Sequence, residues 1–177
     1  MKKKWILAIL LGMIVIIILL GGKKYMDKKA VEKSYQDGME LVQNYVTDYL
    51  VKNYEGIEKI EWQGVGVEWR SSPILGASIL GNYVVSDVKI FVSSEKFFTM
   101  DFTLSEKTEY DEDLNKYVLK KSLNPNSIDS LVDMEIENTT RKMSLKDKSI
   151  FKNIRKSNSV NPNTKVTYNI DIHKLLY

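Results

Sequence analysis

Apolar side chains follow three successive patterns along this chain. The first is an unbroken apolar run of 18 residues, Trp5 to Gly22, between Lys2–Lys4 and Lys23–Lys24. At about 1.5 Å per residue it reaches roughly 27 Å as a helix, enough for the hydrocarbon core of a bilayer. Isoleucines at 14, 16, 17 and 18 cover every side of such a helix and leave no polar stripe for water. The second pattern predicts an amphipathic helix over Lys28–Asn53. Val31, Tyr35, Met39, Val42, Val46, Tyr49 and Leu50 recur in steps of three and four, while Lys33, Gln36, Glu40, Gln43, Asp48 and Lys52 fall elsewhere. Asn53-Tyr54-Glu55-Gly56 supplies its stop, with Gly56 suited to a left-handed exit.

The third pattern is alternation. Ile57–Arg70 reads as a strand in which Ile60 and Trp62 share one face, until the phase slips at Gly64 and Val65, Val67 and Trp69 take over. A one-residue slip at a glycine predicts a β-bulge. Tyr83–Ser93 and Phe97–Ser105 alternate again, through Val84, Val88, Ile90 and Val92 and then Phe98, Met100, Phe102 and Leu104. Their short separation predicts an antiparallel hairpin. Between these strands lies an apolar loop, Ser71–Asn82, with Ile74, Leu75, Ile79 and Leu80. Two readings stand for it: the four side chains tuck under the sheet edge, or they form an exposed contact patch. Trp69 and Arg70 lead into the loop, and both residue types are enriched where proteins touch partners.

Beyond the hairpin, Glu106–Lys116 reads as an acidic turn and Tyr117–Lys121 as a further strand. Asn124-Pro125-Asn126 reads as a break, after which Ser127–Val132 as a short helix and Leu131–Ile136 as a strand are both open. Ser144 with Asp147 resembles a helix start, and Leu145, Phe151 and Ile154 give that segment a thin apolar stripe. Lys165–His173 reads as a closing strand, with Val166, Tyr168, Ile170 and Ile172 in phase. The pattern as a whole predicts an α+β chain: an N-terminal transmembrane helix, then an amphipathic helix packed on an antiparallel β-sheet.

The N-terminal run is read as an uncleaved anchor rather than a secretory signal, because no small-residue cut site precedes Lys23. Cations flank it on both sides, so counting them does not orient it. The short basic head places the N-terminus in the cytoplasm and the domain outside the cell membrane. Residues 1–27 are therefore taken as head and single-pass anchor, and residues 28–177 as one extracytoplasmic domain.

Charge divides that domain again. Residues 31–137 carry 10 basic and 20 acidic groups, whereas residues 138–177 carry 9 basic and 2 acidic. The acidic part (28–137) excludes a nucleic-acid binder by bulk charge. The basic part (138–177) suits an anionic surface or its own acidic neighbour. The chain has no cysteine, so disulfides and thiolate metal sites are excluded. That absence, with much Lys, Asn and Ile, fits a Gram-positive surface protein.

No residue pattern carries a catalytic centre, and no cofactor or metal is expected. His173 is the one histidine, and no Gly-x-Ser-x-Gly turn offers a nucleophile. Asp111, Asp113 and Asn115 have the spacing of a calcium loop, but Lys116 stands where its glycine belongs and Ser122 where its glutamate belongs. Gly64-Val65-Gly66 lacks the third glycine of a phosphate loop. The chain is read as a non-enzyme, with a hydrolase using paired carboxylates as the minority alternative.

The run from Tyr49 to Ile60, then Ser72-Pro73, the Gly76–Asn82 loop and the segment ending Phe98-Thr99-Met100-Asp101-Phe102 resemble small membrane-anchored proteins of streptococci and related Gram-positive bacteria. Their layout is similar to immunity proteins of the TipC kind, which protect a cell from LXG toxins exported by type VII secretion. The likeness covers roughly residues 1–105. It implies a helix followed by an antiparallel sheet and a protective binding role. The expected function is a membrane-anchored domain that binds another protein, an immunity protein covering a secreted toxin being the concrete form. Trp69, Arg70, Ile74, Leu75, Ile79 and Leu80 are its candidate partner-binding residues. The alternative is a structural or accessory envelope protein of a secretion or conjugation system.

Overall fold

A computed structural model of the chain describes residues 2–70, 81–157 and 163–175, with side chains from Met26 onward. Two compact units are present, residues 1–34 and 35–177. Helix α1 spans Lys2–Asn53. Among the described residues no helix is long and apolar enough to cross a membrane, and the run from Trp5 to Gly22 lies where only the backbone is described. In the first unit Lys28 and Lys29 pair with Glu32 one turn on.

The second unit contains the core. After α1 come β1 (Tyr54–Glu55), β2 (Lys59–Trp62), β3 (Val65–Glu68), β4 (Tyr83–Phe91) and β5 (Phe97–Thr103). Helix α2 (Leu104–Lys107), the hairpin strands β6 (Thr108–Asp111) and β7 (Lys116–Leu119), α3 (Pro125–Thr140) and α4 (Leu145–Phe151) follow. The chain closes with β8 (Arg155–Lys156), β9 (Lys165–Thr167) and β10 (Ile172–Lys174).

The bulge is where the alternation places it. Both β2 and β3 pair antiparallel with β4, but Trp62 faces Val88 while Gly66 faces Val85. One extra residue is thus accommodated opposite Asp87 and Ser86, and Gly64 sits there with φ of 100°. The β4–β5 hairpin runs in register from Val85–Thr103 to Phe91–Phe97. Leu104, expected at the end of the second strand, instead opens α2.

The expected antiparallel sheet is corrected to a mixed one. The C-terminal segment pairs parallel to β2 through β9 and to β3 through β10. It is two short strands rather than one, because it must skip a residue to follow the bulge: Glu61 faces Thr167, whereas Val65 faces Ile172. Tyr168, counted in phase, is half exposed at this break.

Residues Met39, Val42, Val46 and Leu50 of α1 are fully buried, in one core cluster with Ile60, Trp62, Val88, Ile90, Phe98, Met100 and Phe102 of the sheet. Val31, assigned to the same apolar face, is 38 % exposed. Gln43, assigned off it, is fully buried. The reason is a hydrogen-bonding requirement at the break in the last strand. Gln43 Nε2 donates to the Asn169 carbonyl (2.7 Å) and to Ser86 Oγ (3.2 Å), and Gln36 Nε2 donates to the Ile170 carbonyl (2.8 Å). Two glutamines of the helix thus satisfy carbonyls that the ladder leaves without partners.

Of the two readings open for the segment after Asn124, the helical one holds. Asn124 is an N-cap rather than a simple break. Its side chain accepts from the Ser127 amide, the Ser127 hydroxyl bonds back to it, and Pro125 occupies the first turn. Ile128 and Val132 of α3 enter the core. Ser144 caps α4 through the Asp147 amide, as its spacing predicts, and Phe151 is buried. Leu145, placed on the same stripe, is 87 % exposed.

Candidate interaction surface

With α1 on one face of the sheet, the other face is open among the described residues, and strand registry arranges its side chains in rows. Lys165, Lys59, Phe91 and Phe97 form one row across β9, β2, β4 and β5. Thr167, Glu61, Lys89 and Thr99 form the next. Beyond the bulge come Asp87 opposite Asp101, then His173, Gly66, Val85 and Thr103.

The first rows make an aromatic and cationic corner. The Phe91 and Phe97 rings lie 5.1 Å apart, tilted by 43°. Lys59 Nζ lies 4.8 Å from the Phe91 centroid and Lys89 Nζ 5.3 Å from that of Phe97. Stacked rings under ammonium groups attract through the ring quadrupole. Phe97 remains 37 % exposed. Glu61 pairs with Lys59, and hydrogen bonds from Lys59 and then Gln63 hold its carboxyl below the usual range.

The opposite corner is acidic. Asp87 is exposed on this face, yet partial desolvation beside the neighbouring strands, then the facing charge of Asp101, raise its pKa; His173 acts against both. The His173 ring rests over the backbone of Gly64 and Gly66. An added Cβ would lie 3.3 Å from Nδ1 at Gly64 and 3.3 Å from Nε2 at Gly66. The glycine pair, dismissed as a phosphate loop, therefore serves as a floor for the one histidine. The bulk acidity of residues 28–137 is thus not spread over this face, which is acidic at one end only.

Of the candidate residues named from sequence, Trp69 and Arg70 stand together just beyond β3. Trp69 is half-buried, its ring centroid 6.1 Å from that of Tyr35. The exposed Arg70 bonds Glu68 through Nη2 (2.8 Å), and its guanidinium lies 5.3 Å from the Tyr83 ring. Its amide donates to Asn82 Oδ1 (3.0 Å), and Asn82 Nδ2 donates to the Tyr35 hydroxyl (3.0 Å). Glu68 and Tyr83 face each other at the end of the open surface, so this cluster extends its edge. Ile74, Leu75, Ile79 and Leu80 lie outside the described residues. The aromatic corner was not among the candidates. Its sequence signal is Phe91 and Phe97, symmetric about a short turn and out of phase with the buried positions of both strands.

A second polar cluster holds the fold together. The carboxylate of Asp129 on α3 accepts from the hydroxyls of Tyr49 (2.8 Å) and Tyr54 (2.7 Å), and its other oxygen pairs with Lys156. Burial pushes the Asp129 pKa up, but the bonds from Lys156, Tyr54 and Tyr49 outweigh it and hold the carboxyl below its usual range. Burial first, and then the Asp129 bond, raise both tyrosine hydroxyls above theirs, Tyr54 well above. Arg155 pairs with Glu55 (2.7 Å) on the facing strand. Part of the basic segment thus folds back on the acidic part. Among the described residues no group of three His, Cys, Asp or Glu is placed to hold a metal.

Comparison with family models, with curated proteins and with solved structures gives no match.

Proposed function

We propose that this chain is a membrane-anchored, extracytoplasmic protein-binding domain, and in its most specific form an immunity protein that neutralises a secreted toxin by covering it. The observation that carries the reading is the open face of the sheet, with its Phe91–Phe97 pair, overlying lysines and acidic far corner. A partially covered sheet normally presents polar alternation to water. Here that alternation is interrupted by adjoining aromatic rings in mixed charge, the composition of interface cores. Four strands at about 4.8 Å spacing and nine residues at about 3.3 Å give roughly 600 Å² of platform, near the ~800 Å² per partner of a stable complex. Positive and negative corners on one face give a partner a defined orientation.

Placement outside the membrane rests on the apolar run from Trp5 to Gly22 between lysines and on the resemblance to TipC-type proteins. The function follows from occlusion, so no chemistry is required of the face. The test is co-expression with any candidate toxin encoded by a neighbouring gene. The intact chain should protect cells and co-purify with that toxin. A chain with Phe97→Ala and Lys89→Glu should lose both while keeping its fold. Absence of protection by the intact chain rejects the immunity form.

A further inference from the structure

We infer that the outward face of α4 is a docking surface for an anionic membrane. Residues 141–157 carry seven basic side chains and one acidic. Three of the seven are used within the fold: Arg141 pairs with Glu137, Arg155 with Glu55 and Lys156 with Asp129. The single acid, Asp147, is taken by Lys96 (3.0 Å). Lys142, Lys146, Lys148 and Lys152 form no salt bridge among the described residues.

Helical geometry gathers these charges. At about 100° per residue, Leu145 lies about 120° around α4 from the buried Phe151; Lys148, Ser149 and Lys152 fall within about 60° of Leu145, the half-buried Lys148 on the side nearer Phe151, and Lys146 flanks them. Leu145 stands at the centre with 87 % of its surface exposed, the highest among the large apolar side chains described. The face is rigidly presented, because Phe151 holds the helix in the core and Ser144 caps its start.

The chemistry favours a lipid surface over a protein. Both arginines of the segment, the residues suited to bidentate recognition, are already paired. What remains is lysine: flexible point charges that adapt to a diffuse negative field. One protruding leucine ringed by ammonium groups is the small-scale form of an interfacial helix, apolar tip in the acyl boundary and charges at the headgroups. Among the described residues no exposed aromatic side chain of this segment accompanies it, as a protein hot spot would favour.

The chain has no cysteine, so a Leu145→Cys variant of the full chain can carry a single bimane label. It is combined with vesicles of phosphatidylcholine alone, or mixed with phosphatidylglycerol. With the anionic vesicles at low salt, the label should shift to the blue and be quenched by doxyl-labelled lipid. High salt should reverse both, and neutral vesicles should give neither. Each lysine at an anionic leaflet contributes about fivefold to partitioning. Adding K146Q, K148Q and K152Q should therefore weaken the labelled contact roughly a hundredfold and leave the near-ultraviolet dichroism unchanged. An equal response in neutral and anionic vesicles, no response in either, or a response indifferent to the three substitutions overturns the inference. Failure of the chain to stay with any vesicle rejects the N-terminal anchor as well.

Discussion

Replacing Asp129 with alanine tests how the two oppositely charged parts of the domain are joined. Its carboxylate accepts from Tyr49 and Tyr54 and pairs with Lys156. The groups left behind differ in access to water. Tyr54 is 4 % exposed, so its hydroxyl loses a charged acceptor with no replacement, at about 2 kcal/mol. Tyr49 is only half-buried and regains part of its bond from water, a loss of about 1 kcal/mol. The Lys156 side chain is 60 % exposed, so solvent screens its pairing and it adds nothing to the sum. The two tyrosine terms, about 3 kcal/mol together, correspond to a fall in Tm of roughly 10 °C for a domain of this size. Thermal unfolding in non-ionic detergent, followed by near-ultraviolet dichroism, measures it.

The Asp129→Asn variant keeps an acceptor for the tyrosines but not the charge, and should lose about half as much. The pH dependence has a defined sign. The folded carboxyl titrates below its unfolded value, so its stabilisation is present above about pH 4 and disappears as pH falls through the folded pKa. The gap between wild type and Asp129→Asn should therefore be widest near neutrality and close in acid. A loss under 1 kcal/mol for Asp129→Ala, or a gap that widens in acid, would refute the argument.

Three further outcomes are expected. Gly56→Ala should lower Tm by several degrees, because a residue with φ of 82° would press its Cβ onto the Asn153 carbonyl and separate β1 from β8. Trp62→Phe should cost about 2–4 kcal/mol in urea unfolding, through lost packing on Phe102 and an orphaned Thr47 hydroxyl, while Thr47→Val should cost about 1 kcal/mol. Gln43→Met should release the last strand first. In hydrogen exchange, the Val65 amide, bonded to the Asp171 carbonyl at 2.9 Å, should lose protection well before β4 and β5 do.

Local rules were legible in the chain and long-range ones were not. The bulge at Gly64, the β4–β5 hairpin and the Ser144 cap each depend on residues within a few positions of one another, where periodicity and capping operate. The parallel C-terminal pairing joins segments about a hundred residues apart, and alternation alone carries neither direction nor register. Gln43 looked like a surface residue because its justification, the carbonyl of Asn169, appears only after the last strand is placed. In α3, Ile128, Leu131, Val132 and Ile136 follow a helix while Val132, Met134 and Ile136 also alternate; the Asn124–Ser127 capping box decides between them. Net charge in the basic segment located a cationic region without showing which of its members were already paired.

The open face as a contact surface is tested most directly by photo-crosslinking in cells that make the chain together with a candidate toxin chosen from the neighbouring genes. A benzophenone side chain is placed at Phe97, in the aromatic corner, and separately at Met134, which is 49 % exposed on α3. An adduct with the toxin from position 97 and none from position 134 is the predicted result. An adduct from 134 alone, or from neither site in cells that survive, would contradict it.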